Sequence, residues 1–405
     1  MEKIIRKGWV YIIGVMLVLV YAWGVKNMYF HQDDLDWFIL ANKPFLQVLQ
    51  APIADHVNYL WRLLLSLEWN IFQLHFAPYL VVSLLLHTAV IWLLYKIAFE
   101  TTKRRDLSGI VAIIFAINTN WTEIILWISG QTISITVFFV LLAMYAMLRK
   151  RGQMVTMLMS GITSALSLGL PIASLLVYGY DYDRRKLNRI GIVAIATLLI
   201  VICAYYFMGG DGTTIEYSLN WILKVGEVVF LMMINTVVGR TLIPFDKYEI
   251  WRIGIVITGA ILLGLKYRSK FIEIWRDNWS RFLIFQLFFY NLIVAIGRAQ
   301  YGVGIMRAER YAYLGLALTL LIIARTLRNT KINKLIWILA VLMIIQIVGF
   351  YRRAGDYIER PVKLKQLIIE IKRGDKHPDN DEYLPYFVLN DERLKYGDLY
   401  NLMKR

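Results

Sequence analysis

Apolar residues occur along this chain in long runs separated by short polar clusters. A membrane-crossing helix needs roughly 20 apolar residues, and helices buried in a bundle fall below that length. On this measure residues 8–27, 79–95, 107–117 and 124–148 predict the first four spans. Residues 154–180 are apolar throughout but carry "SLGLP", which predicts two short antiparallel helices with a break near Gly169 and Pro171. Further spans are predicted at 190–208, 253–265, 282–296, 311–324 and 335–350. Residues 221–238 carry Lys224 and Glu227 in their first turns and read as a partly embedded or re-entrant helix. In the loop 28–78, "DWFILANKPFLQVLQ" and "NYLWRLLLSLEWNIFQLHF" have apolar residues at helical spacing with scattered polar positions, the pattern of helices lying in a membrane interface. Beyond residue 350, "RPVKLKQLIIEIKRGD" and "YLPYFVLND" predict a small appendage of two helices or a helix and a strand. The expected architecture is an all-α polytopic membrane protein, with about 11 to 12 transmembrane helices in residues 1–350 and a small extramembrane segment in residues 351–405.

Composition agrees with that picture. The chain has 405 residues, 58% of them hydrophobic, with a mean hydropathy of +0.53, too apolar for a hydrated globular surface. A formal charge of +16 suits nucleic acid as well as membranes. Here, however, Lys and Arg gather between apolar runs, in "KIAFETTKRRD", "RKRG", "DYDRRKLNR", "KYRSK" and "RTLRNTKINK", as cytoplasmic loops require, and no nucleic-acid partner is expected. With Lys3, Arg6 and Lys7 cytoplasmic, loop 28–78, "NTNWTE", "GGDGTTIEYSLN", "GRAQYGVGIMRAER" and the tail fall outside. The basic start followed by a run without a small-residue cleavage site reads as a retained signal anchor. Cys203 is the chain's single cysteine, so neither an intrachain disulfide nor a cysteine metal cluster can form.

The unusual polar groups fall on the predicted outer face: Asp33, Asp34 and Asp36 of "HQDDLDWF", then His56, Glu123, Arg298, Arg307, Glu309 and Arg310. Ionisable groups at membrane depth cost a few kcal/mol each unless paired or wet, so their convergence implies an aqueous cavity. Carboxylates with arginines fit one chemistry well: the acid takes a proton from a hydroxyl nucleophile while guanidinium groups hold a phosphate leaving group. The alternative for Asp33 and Asp34 is capping of the helix that follows, with Asp36 in its first turn. Arg298, Arg307 and Arg310 bind phosphate or snorkel at the interface. His56 donates to a substrate or is structural. Glu123, Trp127 and Gln131 recur at four-residue spacing on one helical face, where they line a sugar pocket or pack. His31, His56, His75 and His87 show no metal-ligand spacing, so no histidine metal site is expected, although the aspartates suit Mg²⁺ or Mn²⁺ beside a phosphate.

A first apolar helix, "HQDDLDWF" in a long first outer loop, "DHVNYLWRLLLSLEWNIFQLHFAPYLVVSLLLHTAVIWLLYKI", "WTEIILWISGQTISITVFFVLLAMYA" and "ERYAYL" together resemble the GT-C superfamily of integral membrane glycosyltransferases, in its protein O-mannosyltransferase-like and related bacterial branches. The likeness covers roughly the first 180 residues and residues 297–314. It implies an inverting transfer of a sugar from a polyprenyl-phosphate donor to a hydroxyl of a glycan, lipid or protein acceptor, on the outer side of a bacterial plasma membrane. Carried over, Asp33 is the first choice for the catalytic base, Asp34 its rival, and Arg310 the phosphate partner, with Arg298 or Arg307. Many relatives have a Lys-Glu pair where Gly169 and Leu170 stand here, and the tail is too short for their appended domains. A transporter or lipid flippase, and a non-catalytic cell-envelope assembly subunit, are the competing classes.

Overall fold

A computed structural model describes residues 2–31, 34–50, 58–118, 121–178, 192–193, 195–197, 199, 218–242, 258, 268–299, 309–329, 354–355, 358–375, 379 and 395–404. Among these residues regular structure is helical, with no strand. Three helical stretches are long and apolar enough to cross a membrane, Phe76–Thr102, Ile128–Arg149 and Asn278–Arg298, and three shorter apolar ones accompany them at Tyr11–Asn27, Leu166–Val177 and Ala312–Thr326. The span predicted at 335–350, and most of those at 253–265 and 190–208, lie outside the described residues, as do Asp33, His56 and Arg307.

Helix α1 (Glu2–Asn27) delivers the chain to the loop, which forms α2 (Asp34–Ala41), α3 (Phe45–Gln50) and α4 (Tyr59–Phe72). An aromatic cluster welds this loop to the next helix. Phe30 meets Phe38, Phe76 and Tyr79 edge-on at 4.9, 5.6 and 5.6 Å between centroids, Phe38 stacks on Trp69 at 4.8 Å, and Trp37 meets Trp61 at 4.5 Å. Such pairs add to the burial of large rings. One stripe of α4, Leu63, Leu67 and Ile71, stays exposed while Trp61, Leu65 and Trp69 are buried, as an interfacial helix requires.

The central helix α5 (Phe76–Thr102) packs against α1, α6 (Arg105–Ile117), α8 (Gln131–Arg149) and α14 (Ala312–Thr326). Between α6 and α8 lies α7 (Thr122–Leu126), which corrects the expectation of one helix over 124–148. The helix stops at Trp127, whose backbone is extended, and restarts after a 3₁₀ turn at Ile128–Gly130. Gly130 makes this corner possible: a Cβ there would lie 2.6 Å from Cα and 2.6 Å from the carbonyl oxygen of Ile124, both backbone atoms.

The two short helices expected around "SLGLP" are present, with the break a few residues upstream of Gly169. Helix α9 (Gln153–Thr163) ends at Ser164, which is extended, and α10 (Gly169–Tyr178) begins after a 3₁₀ turn at Ala165–Leu168. Gly169 and Pro171 therefore sit in the first turn of α10, where a proline has no intrahelical acceptor to lose. The two helices do not form a paired hairpin: α9 lies on α8, and α10 lies on α13 (Asn278–Arg298). Residues 221–238 belong to the unbroken α11 (Leu219–Leu242). At 1.5 Å per residue its 24 residues extend roughly 36 Å, longer than a hydrocarbon core. Short α12 (Arg268–Arg276) precedes α13. Within the tail, α15 (Glu359–Arg373) and α16 (Tyr396–Met403) are both helical, and α16 packs against α2.

The helices have two chemically different ends. At one, Glu100 pairs with Lys103 and Arg149 at 2.7 and 2.9 Å, Arg104 with Asp106 at 2.8 Å, Arg325 with Asp277 at 2.9 Å and Arg328 with Glu273 at 2.9 Å. Arg104 also donates to the carbonyl of Arg328 at 2.8 Å, tying α6 to the end of α14. The opposite end carries α2, α7 and the 3₁₀ turn Glu309–Tyr311.

Candidate functional site

Asp34 opens α2 and is fully buried. Its Oδ2 accepts the backbone N–H of His31 at 2.7 Å, while the N–H of Asp34 donates to the His31 carbonyl at 3.1 Å, closing the turn before the helix. Its Oδ1 accepts the N–H of Ser129 at 3.3 Å, from the corner between α7 and α8. One carboxylate thus satisfies donors of two segments that lie 95 residues apart, and its charge sits favourably at the N-terminus of α2. Both of these donors lie outside α2. Among the described residues no group of three or more His, Cys, Asp or Glu side chains could hold a metal.

From this corner the contacts run to Arg310. The His31 ring lies 4.9 Å from that of Trp127. The Arg310 guanidinium stands 4.8 Å over Trp127 and 5.2 Å from Tyr311, between the two rings. Its Nη1 pairs with Glu123 Oε1 at 2.5 Å, and its backbone N–H donates to Glu123 Oε2 at 3.2 Å. Glu123 is buried on α7, so Coulomb attraction there is little screened. Arg298, the last residue of α13, also lies over the Tyr311 ring, at 5.8 Å. Tyr311 is fixed through its carbonyl, which accepts the hydroxyl of Tyr290 at 2.8 Å. Among the described residues the indole N–H of Trp127 and the hydroxyl of Tyr311 are buried with no hydrogen-bond partner, an expensive arrangement unless a polar group meets them.

Of the residues the sequence singled out, Asp34, Glu123, Trp127, Arg298 and Arg310 thus gather at one end of the helices. Gln131 does not join them. Because the helix breaks at Trp127, the shared face of Glu123, Trp127 and Gln131 does not exist; this is a correction. The Gln131 amide turns inward and donates to Glu68 Oε1 at 3.1 Å and Ser83 Oγ at 3.2 Å.

Two charged residues of α4 were not singled out by the sequence. Arg62 is fully buried and caps α3 by donating Nη1 to the carbonyls of Val48 and Leu49 at 3.2 and 2.9 Å. Glu68 is buried beside Gln131, and burial pushes its carboxyl up to about 8, against the lowering effect of the Gln131 hydrogen bond. A signal for both existed: 61, 62, 65, 68 and 69 share one face of a 3.6-residue helix. The competing apolar stripe at 63, 67 and 71 masked it.

Among the described residues these features define a helical arrangement with helices of membrane-crossing length and, at one end, a buried corner joining a carboxylate, aromatic rings and a guanidinium–carboxylate pair. Comparison with known protein families, with curated proteins and with solved structures finds no match in any of the three.

Proposed function

We propose that the chain is a polytopic membrane glycosyltransferase of GT-C type, working on the non-cytoplasmic side of a bacterial plasma membrane with a polyprenyl-phosphate sugar as donor. The observation that carries this reading is the meeting of the Asp34 turn, the Trp127–Gly130 corner and the Glu123–Arg310 pair, with 95 and 187 residues of chain between the bonded partners. Asp34 is committed to backbone N–H groups, so its role is to hold the "HQDD" turn, and Asp33 is the base that takes the proton of the acceptor hydroxyl. Glu123, Trp127 and Tyr311 fix the plane of the Arg310 guanidinium, which binds a donor phosphate oxygen through its N–H groups. Because Glu123 neutralises Arg310, Arg298 and Arg307 supply the net positive charge that the departing phosphate needs. The hydroxyl oxygen attacks the anomeric carbon, the bond to the phosphate oxygen breaks, and the polyprenyl phosphate leaves as an anion.

The test is transfer of labelled sugar from polyprenyl-phosphate donors by the purified full chain in lipid nanodiscs. Asp33→Asn abolishes transfer while retaining donor binding, and Arg310→Lys weakens donor binding because an ammonium lacks the planar fork. Undiminished transfer by both Asp33→Asn and Asp34→Asn would refute the base assignment. Absence of transfer with every lipid-linked sugar, alongside export of one of them, would replace the reading with a flippase.

A further inference from the structure

We infer that α12 is a membrane-surface helix that docks on anionic lipid headgroups at the basic end of the molecule. This rests on the chain crossing a membrane and not on the proposed transfer. The helix reads "RSKFIEIWR". Ile272 and Trp275, three positions apart and therefore on one face, are 48% and 53% exposed. That face continues onto α13: the Trp275 ring lies 6.0 Å from Phe285, which lies 6.4 Å from Phe289, and Phe288 and Ile296 on the same helix are exposed. The outward side of α12 thus joins the side of α13 that faces hydrocarbon if α13 crosses a bilayer. A tryptophan at such a junction is suited to the headgroup level, where its ring is apolar and its N–H stays wet.

Charge selects the headgroup. Arg268, Lys270, Arg276, Arg281, Arg325 and Arg328 surround α12 in sequence or in space, against Glu273 and Asp277. Both acids are already paired within the chain, Asp277 with Arg325 and, at the surface, Glu273 with Arg328, each at 2.9 Å. For Asp277 burial raises the carboxyl, but hydrogen bonds from Arg325 and Ser280 outweigh it and hold the group below its ordinary range, so it stays ionised and paired. The surplus is positive, with Arg276 exposed at the helix end. A short helix with an apolar face and a basic flank lies in the interface plane and is held there by anionic lipid as well as by burial. A zwitterionic surface would supply only the second attraction.

The experiment uses the full chain with Cys203→Ser and Ile272→Cys, spin-labelled at residue 272, in nanodiscs of phosphatidylcholine alone or mixed with phosphatidylglycerol. The expected result is a label shielded from a water-soluble nickel relaxant and accessible to oxygen, with a several-fold larger oxygen-to-nickel accessibility ratio in the anionic discs. Adding Arg276→Glu, which leaves the ion pairs intact, or high salt erases the difference between the two lipids. Equal immersion in both lipids overturns the proposal, since the apolar face alone would then hold the helix. A label freely accessible to nickel in both also overturns it, because the helix would then face water or another protein.

Discussion

Asp34, Glu68 and Gly130 carry much of the local logic. Replacing Asp34 by Ala leaves the part-buried N–H groups of His31 and Ser129 without this acceptor, at about 1–2 kcal/mol each. Asp34→Ala is therefore expected to lower the stability of the purified protein by about 2–4 kcal/mol, and Asp34→Asn by less, in denaturant titrations followed by tryptophan fluorescence. Glu68 gives a pH signature. Its folded value, about 8, lies above its ordinary 4.5, so across that window the unfolded chain gives up a proton that the folded chain keeps. The stabilising term is complete below the ordinary value and fades as pH rises through the folded one, with each unit worth about 1.4 kcal/mol. Melting at about pH 5 and about pH 9 should differ in the native chain, and Glu68→Gln should shrink that difference. At Gly130 a methyl group meets backbone that cannot yield, so Gly130→Ala is expected to cost about 3 kcal/mol and to disturb the Trp127 corner.

Helices α2 and α16 are eight residues each, too short to stand alone in water, and each is held by what covers it. Aromatic contacts to Trp61 and Trp69 of α4 cover one side of α2, and α16, through its buried face of Tyr396, Leu399 and Leu402, packs against it as well. Deleting residues 395–405 should speed hydrogen exchange in 34–41 while the amides of α5 and α13 stay protected. Unchanged exchange in 34–41 would mean that α4 alone holds the helix. Periodicity made the helices of the first loop legible, because α4 shows its apolar spacing within its own residues. The break at Trp127 was not legible: the apolar residues of "WTEIILWISGQTISITVFF" continue on both sides of it, and the corner depends on Gly130 meeting the backbone of Ile124.

The whole molecule is polarised. Arg104, Arg149, Arg325 and Arg328 lie at one end, while the Asp34, Trp127 and Arg310 corner lies at the other. Basic clusters stay on the cytoplasmic side, which gives an expectation for intact cells. With Cys203 replaced by Ser, a cysteine at Lys150 should react with a membrane-impermeant maleimide only after lysis, and one at Asn70 should react before it. The reverse pattern would put the proposed active site inside the cell.

Sequence by itself determined that the chain is helical, apolar enough to cross membranes and divided into basic and acidic–aromatic ends. Those properties are sums over local positions: apolar run length, helical spacing and clustering of charge. Tertiary structure alone decided which polar groups share a site. Asp34 became an anchor for Ser129, Gln131 turned to Glu68 instead of joining Glu123, and Arg310 came to lie between Trp127 and Tyr311. Most buried polar atoms find a partner wherever the fold brings one, and for these three the partners lie 95, 63 and 187 residues away along the chain.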